Sequence, residues 1–234
     1  MKKYLILILM FSLVSCAELQ EVVNQLPNGG ITTEQIGGGL KEALNNGITN
    51  QVNSLALEDG FFKNEMVKIL LPDELKKVDE TLRKIGLSSL ADEGLKVLNR
   101  AAEDAVGEAI PIFVDAVKGM TFADAKGILM GNSNAATTYL KDRTNDVLYQ
   151  KFNPIINNSF QKVGADKIWE NLITKYNNIP FTNEVNPDLT DYVTGEALKG
   201  VYTMVEVEEM EIREKVSKRT SDLLRRVFAL QDNK

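Results

Sequence analysis

The sequence lacks histidine altogether and has a single cysteine, Cys16, among its 234 residues. Without histidine the chain cannot form a Ser-His-Asp triad, a Cys-His dyad or a zinc site with imidazole ligands. One cysteine excludes an internal disulfide bond and a thiolate-ligated iron–sulfur cluster. We therefore expect neither a metal site nor a cofactor in this protein.

The chain also lacks an excess of basic residues. It has 27 Lys and Arg against 33 Asp and Glu, a formal net charge of −6. Because nucleic-acid-binding proteins need a basic surface, we expect no nucleic acid partner. The 44% hydrophobic and 26% charged content is that of an ordinary globular protein, and the length allows one domain with a substantial core or two small ones.

The amino-terminal residues resemble the signal sequence of a bacterial lipoprotein. Lys2 and Lys3 give a short positive region, and residues 4–13 are apolar except for Ser12. This stretch is shorter than the roughly 20 apolar residues that a membrane-spanning helix needs. It runs into Leu13-Val14-Ser15-Cys16, which resembles the lipobox of these proteins.

The lipobox resemblance implies that residues 1–15 are removed as a signal peptide, that the Cys16 sulfur carries a diacylglycerol, and that the new amine is acylated. Two or three acyl chains anchor a protein almost permanently, because each buried methylene contributes about 0.8 kcal/mol. The expected partner is thus the membrane, through the lipid on Cys16. Ala17 stands where many Gram-negative lipoproteins carry an inner-membrane retention aspartate, so we expect the outer membrane, with the body facing the periplasm. The alternative is an ordinary cleaved signal with an incidental cysteine.

The residues after Cys16 are rich in helix breakers. Leu26-Pro27-Asn28-Gly29-Gly30 and Gly37-Gly38-Gly39 are typical of flexible spacers. The triple glycine lacks a preceding strand and a Gly-Lys-Ser/Thr ending, so it does not indicate a phosphate-binding loop. We therefore predict a lipidated cysteine and tether over residues 16–37 and one domain over residues 38–234.

Apolar residues recur at helical spacing through nearly all of the predicted domain. One such face runs from Leu95 to Ala109 and is predicted to break or kink at Pro111, and Thr121 and Asp124 resemble a capping box that opens a helix ending at Gly131. The sequence has no convincing alternating run and no internal repeat of fixed period. These features predict an all-α fold, a single compact domain of about eight to ten short helices.

Several local strings are similar to one bacterial lipoprotein family. They are Leu40-Lys41-Glu42-Ala43-Leu44, Glu58-Asp59-Gly60-Phe61, Leu71-Pro72-Asp73-Glu74-Leu75, Asn99-Arg100-Ala101-Ala102-Glu103, residues 120–129, Val185-Asn186-Pro187-Asp188-Leu189 and Thr220-Ser221-Asp222-Leu223-Leu224. Together they resemble the family called domain of unknown function 4197, over nearly the whole mature chain. The resemblance implies an all-helical exported domain. It implies no activity and no catalytic residues.

Two charged residues interrupt predicted apolar faces. Arg143 lies three residues after Leu140 and four before Val147, and Glu208 has the same relation to Val205 and Ile212. A charge on a core face must be paired or it costs several kcal/mol, so we predict that Arg143 meets a carboxylate from residues 206–211, foremost Glu208. An ion pair between two helices is the favoured interpretation, and a polar pocket for an anionic head group is the alternative.

The acidic run between residues 206 and 214 has an ordinary explanation. Glu209–Arg213, Glu211–Lys215 and Glu214–Lys218 are spaced four apart in the order that stabilises a solvated helix face. A di-metal carboxylate site would also need histidine, which is absent. Paired carboxylates could cleave glycosides without histidine, and the nameable candidates, which no spacing selects, are Asp115, Asp124 and Glu108.

Two predicted loops carry aromatic residues where loops are usually polar. Phe61 and Phe62 follow Asp59-Gly60, and Phe181 follows Ile179-Pro180. The favoured interpretation is that these rings fold back into the core. The functional alternative is an exposed apolar surface for a partner or for lipid.

The sequence favours a lipid-anchored, periplasm-facing helical protein without catalytic activity, which binds or organises a partner at the cell envelope. The first alternative is a carrier of a lipid-like ligand, which needs a closed apolar pocket of about 300 Å³ or more. The second is a histidine-free hydrolase with two carboxylates about 5–10 Å apart in one open cleft and a perturbed pKa.

Overall fold

The computed structural model describes residues 31–84, 86, 88–165, 167 and 188–232. In this part of the chain the regular structure is helical and no strand occurs, which confirms the all-α prediction. The helices are, in chain order, α1 (Thr33–Ala56), α2 (Asp73–Lys84), α3 (Ser88–Val106), α4 (Ala109–Lys118), α5 (Phe122–Leu129), α6 (Ala135–Val163), α7 (Leu189–Glu214) and α8 (Asp222–Asp232), with a 3₁₀ turn at Val216–Lys218.

Three long helices form the centre of the described structure. α7 packs along α6 and α1, α3 packs on α6, and α4, α5 and α8 pack on α1. The prediction of uniformly short helices is wrong for these three, since α1, α6 and α7 contain 24, 29 and 26 residues. Their length follows from long buried stripes, which on α6 consist of Leu140, Thr144, Leu148, Phe152, Ile156 and Phe160.

The first described helix begins earlier than the predicted domain. Thr32 caps α1 in a capping box with Gln35, in which each side chain accepts the other residue's backbone N–H. The predicted boundary at residue 38 is therefore wrong, and Gly37, Gly38 and Gly39 lie inside α1 instead of in a tether. Close packing against α8 explains the glycine at position 39, because a Cβ there would lie 2.8 Å from Cγ2 of Val227.

Two local predictions between α3 and α6 have different outcomes. The predicted helix break is not at Pro111, because α3 already ends at Val106 and the helix is interrupted at Gly107. Pro111 lies in the first turn of α4, where its missing N–H costs no helical hydrogen bond. The capping box at Thr121 and Asp124 is confirmed, with both reciprocal hydrogen bonds present. α5 then ends at Leu129, and the N–H of Gly131 donates to the Ile128 carbonyl.

None of the described helices combines the length and the apolar composition that crossing a bilayer requires.

Candidate functional site

The longest irregular stretch of the described chain joins α1 to α2. We call residues 57–72 the α1–α2 segment. Asp59 adopts a left-handed conformation (φ 70°), and a Cβ on Gly60 would lie 2.4 Å from the Leu55 carbonyl oxygen, so this turn requires glycine. Long connections of this kind in compact domains usually carry a function.

A buried carboxylate on α3 fixes the first half of this segment. Glu103 is 5% exposed and accepts the backbone N–H groups of Phe61, Phe62 and Asp59 at N···O distances of 3.0, 3.2 and 3.3 Å. Arg100, one turn earlier, forms an ion pair with the same carboxylate. The acceptor oxygens of Glu103 thus satisfy the N–H groups of the turn from inside the protein.

Arg100 also connects the turn to α3 from the solvent side. Its Nη2 lies 2.6 Å from Asp59 Oδ1 and 2.8 Å from Glu58 Oε1, and Lys63 Nζ lies 2.6 Å from Asp59 Oδ2. The hydrogen bond from Lys63, and after it the one from Arg100, holds the pKa of Asp59 below its usual range. Arg100 and Lys63 thus keep a charged Asp59 in its left-handed turn.

A fully buried carboxamide fixes the second half of the segment. Asn99 Oδ1 accepts the N–H of Ile69 at 2.8 Å, and its Nδ2 donates to the carbonyl of Ile69 at 2.9 Å and to that of Leu95 at 2.8 Å. On the other side, the hydroxyl of Tyr192 on α7 donates to the Leu70 carbonyl at 2.8 Å. The irregular chain at residues 68–72 is therefore held between α3 and α7.

Two clefts lie along the outer face of α7. The first, about 640 Å³, separates α7 from the α1–α2 segment and the start of α2. The second, about 440 Å³, separates α7 from α6. Both are lined by Lys199 and Thr203, so these two residues of α7 lie between the clefts. We call the surface made by the two clefts and this part of α7 the α7 groove.

The lining of the α7 groove is mixed. Exposed apolar side chains come from the α1–α2 segment, where Met66 and Leu70 are 60% and 54% exposed. Charged groups are largely paired, since Lys76 Nζ lies 2.5 Å from Asp73 Oδ1, and Lys199 Nζ lies 3.4 Å from Glu196 Oε2. The hydroxyl and carboxamide groups come from α6, from the residue that precedes it and from α7, namely Thr137, Thr138, Asn145, Asn134 and Thr203.

Three tyrosines line the groove with their hydroxyls already bonded. Tyr149 donates to Asp191 at 2.5 Å, a bond that raises the pKa of Tyr149. Tyr202 lies on the floor of the second cleft, where burial raises its pKa to about 12 and its hydroxyl lies 2.9 Å from that of Thr144. Tyr192 is held by Leu70, as described above. The rings of Tyr149 and Tyr192 are accordingly fixed in orientation near the amino-terminal end of α7, one in each cleft.

The structure does not bring Arg143 and Glu208 together. Arg143 is 52% exposed, lies over the Tyr139 ring at 4.6 Å from its centroid, and has Nη2 3.9 Å from Asp124 Oδ1. Glu208 accepts a hydrogen bond from Gln51 Nε2 on α1 at 2.7 Å. The prediction of a buried pair is therefore wrong, because the buried stripe of α6 runs through Leu140, Thr144 and Leu148 and leaves Arg143 beside it.

A different ion pair, between two residues of α7, is buried. Glu209 and Arg213, with side chains 5% and 6% exposed, lie 2.8 Å apart. Glu209 also accepts the backbone N–H groups of Ala136 and Thr137, and Arg213 donates to the carbonyls of Ile128 and Leu129. The prediction that this pair lies on a solvated helix face is wrong, since the pair joins α7 to the last residues of α5 and the first residues of α6.

The remainder of the acidic run lies nearer to solvent. Glu211 pairs with Lys215 at 2.8 Å as predicted and also with Lys218, which was expected to pair with Glu214. The hydrogen bond from Lys215, and then that from Lys218, lowers the pKa of Glu211 to about 2. Within the described residues no three acidic or thiol side chains are arranged to hold a metal ion.

The aromatic residues that were predicted as a possible exposed loop surface differ in their burial. Phe61 is fully buried, so its use as an exposed surface is excluded and the core interpretation is correct. Phe62 is half-buried, with Lys68 Nζ 4.9 Å from its ring centroid. Phe181 and the lipidation residue Cys16 lie outside the described residues.

The sequence matches one family model, described as "Protein of unknown function (DUF4197)", over residues 30–229. No curated protein matches the chain, and no solved structure matches it.

Proposed function

From the premise that this chain belongs to the DUF4197 family, whose function is unknown, we propose that it is a lipid-anchored protein of the cell envelope that binds a partner without catalysing a reaction. The lipid is on Cys16, the body faces the periplasm from the outer membrane, and the α7 groove is the binding surface. The protein thereby holds or organises its partner close to the membrane.

The support for the anchor comes from the sequence. Lys2 and Lys3, the apolar stretch over residues 4–13 and the string Leu13-Val14-Ser15-Cys16 follow one another in the order that a lipoprotein signal requires. The described domain begins at residue 31, so 14 residues, 17–30, lie between Cys16 and it in the sequence.

The hydrogen bonds that hold the α1–α2 segment in place are the observation that supports the binding role. Fully buried Asn99 and nearly buried Glu103 do not join α3 to another helix, since their partners outside α3 are backbone groups of residues 59–69. Their hydrogen bonds hold an irregular chain rigid at the surface. The exposed Met66 and Leu70 are thus presented beside α7 in a preorganised position, which lowers the entropic cost of binding.

The two alternative functions have weaker support. A carrier needs an enclosed apolar cavity, and the α7 groove is a surface groove with a partly polar lining. A glycoside hydrolase needs an acid with a raised pKa. Among the candidate carboxylates, Asp124 has its pKa lowered by the Thr121 backbone N–H that it accepts.

Lipid labelling tests the anchor. Cells fed an alkyne-bearing fatty acid should incorporate the label into the natural chain, which should fractionate with membranes. The Cys16→Ser chain, which keeps every described residue, should lose the label and appear in the soluble periplasmic fraction. An unlabelled natural chain in the soluble fraction would contradict the anchor.

Photo-crosslinking in intact cells tests the binding surface. A photoreactive amino acid at Met66 should give a discrete adduct. The matched control is Val216, which is similarly exposed but lies on the 3₁₀ turn away from the α7 groove. Equal adduct patterns from the two positions, or no adduct from Met66, would contradict the assignment of the surface.

A further inference from the structure

We propose that α8 is a strap that opens and closes as one unit and thereby controls the second cleft of the α7 groove. This inference rests on the proposed function and deepens it, since it concerns the regulation of the same surface. Three observations carry it: how α8 is joined to the chain, where it is fastened, and what its fastening residues contact.

A short exposed connection joins α8 to α7. Residues 214–218, which include the 3₁₀ turn, are exposed, and so is Thr220. Within the described structure α8 packs mainly on α1, where Val227 meets Gly39, whereas α7 packs on α6, α1 and α3. A helix with one main neighbour and an exposed connection is the kind of element that opens locally while the rest of a protein stays folded.

The fastening of α8 lies at the end far from this connection. Arg219 is 2% exposed, and its guanidinium donates to the carbonyls of Ile212 and Arg213 at 3.0 and 2.8 Å. The same guanidinium pairs with Asp232, the last residue of α8, with Nη2 2.9 Å from Oδ1. Because a buried charge needs its partner, Asp232 latches the whole helix against α7.

A second buried arginine connects the last turn of α8 to the groove. Arg213 Nη1 donates to Gln231 Oε1 at 2.7 Å, and its Nε and Nη2 donate to Glu209 Oε1 at 3.0 and 2.8 Å. The other oxygen of Glu209 accepts the backbone N–H and the hydroxyl of Thr137 at 2.8 and 2.9 Å. Since Thr137 lines the second cleft, a continuous run of hydrogen bonds links α8 to a wall of the α7 groove.

Opening of α8 acts on the groove through this run. It takes Gln231 away from Arg213 and admits water to the guanidinium, so Arg213 no longer holds Glu209 in one position. The first turn of α6, whose Ala136 and Thr137 N–H groups Glu209 accepts, is then free to shift. The closed strap fixes the wall of the second cleft, and a partner that needs this wall binds more weakly as the open fraction of the chain rises.

Amide hydrogen exchange of the full chain carrying Cys16→Ser tests whether α8 opens as a unit. The amides of residues 225–231 should exchange through one common opening, faster than the buried amides of α6 and α7. Asp232→Asn should accelerate this exchange by about 5- to 50-fold, because it removes the charge that latches Arg219. The matched control is Arg226→Gln, which removes an exposed charge from the same helix and should stay within about twofold.

The strap is overturned if α8 exchanges only together with α6 and α7, or if Asp232→Asn leaves its exchange unchanged. The link to the groove has its own measurement in the same data. The amides of Ala136 and Thr137 should accelerate with those of α8 in Asp232→Asn, and also in Gln231→Ala. The amides of Phe61 and Phe62 are the control, because another buried carboxylate, that of Glu103, accepts them. Unchanged exchange at residues 136 and 137 beside a faster α8 overturns the control of the cleft.

Two safeguards keep the outcomes distinct. Circular dichroism checks that each variant folds, and if Asp232→Asn does not, exchange of the parent chain in dilute guanidinium chloride decides. There, α8 and residues 136 and 137 should share one opening with a weaker denaturant dependence than the core of α6, and a dependence equal to that of the core overturns the proposal. These measurements involve no partner, so their failure leaves the proposed function standing, whereas a missing adduct at Met66 overturns that function and not the opening of α8.

Discussion

Replacing Glu103 by alanine should destabilise the protein by about 3–5 kcal/mol. The carboxylate is 5% exposed, accepts three backbone N–H groups of the α1–α2 segment and pairs with Arg100. Its removal leaves the buried N–H of Phe61 without an acceptor, at about 1–3 kcal/mol, and leaves the half-buried Arg100 with one carboxylate fewer. Glu103→Gln keeps one acceptor oxygen and should cost less, about 1–3 kcal/mol.

Urea unfolding followed by circular dichroism measures this loss as a change in the free energy of unfolding. The matched control is Glu58→Ala, which removes a well-exposed partner of the same arginine and should cost about 0–1 kcal/mol. Amide hydrogen exchange at Phe61 and Phe62 should accelerate in Glu103→Ala before the rest of the protein opens. A loss below about 1 kcal/mol, with exchange unchanged at these amides, would refute the reasoning that Glu103 holds the segment.

Two further results are expected. Gly200→Ala should destabilise the protein by about 1–3 kcal/mol in the same unfolding assay, because its Cβ would lie 2.7 Å from Cε1 of the buried Phe61 ring. Gly38→Ala in α1, whose Cβ would have nothing within 4 Å, should instead leave the stability unchanged or raise it by up to about 1 kcal/mol; equal losses would contradict this packing. The Glu211 carboxyl should titrate with a pKa of about 2, chiefly because of its hydrogen bond from Lys215. Its contribution to the free energy of unfolding should therefore be complete above about pH 4.5 and be lost as the pH falls towards 2. An NMR titration midpoint near 4.5, unmoved by Lys215→Ala, would contradict the interaction.

The fold class could be predicted because helix formation leaves local signals. Apolar spacing and the capping box at Thr121 and Asp124 are readable from neighbouring residues alone. The early start of α1 has a signal of the same kind, Thr32 followed three residues later by Gln35, and the prediction of a glycine-rich tether left that signal unused. Glycine disfavours a helix by only about 1 kcal/mol per residue, and packing against α8 overrides that cost.

The polar core could not be predicted in the same way. Glu209 and Arg213 have the spacing of a surface ion pair, and only the approach of α5 and α6 buries them. Glu103 and Asn99 likewise look like the polar face of α3, and their partners lie 30 or more residues away in the chain. Such long-range burial depends on tertiary packing, which periodicity does not encode.

The candidate site follows from these same buried groups. The sequence drew attention to Phe61 and Phe62 as aromatics in a loop, and the correct interpretation for Phe61 was the core. The exposed Met66 and Leu70 gave no signal, because isolated apolar residues are common on surfaces. The α7 groove becomes visible only when the α1–α2 segment is placed beside α7.

The central claim is that the α7 groove is where this protein meets its partner, and methionine NMR tests it most directly. In the Cys16→Ser chain with carbon-13-labelled methionine methyl groups, solubilised cell-envelope material should shift or broaden the signal of Met66, which lines the groove. The signal of Met210, exposed on the next turns of α7 beyond the groove, should stay unchanged. An unchanged Met66 signal, or a change at Met210 alone, would contradict the claim.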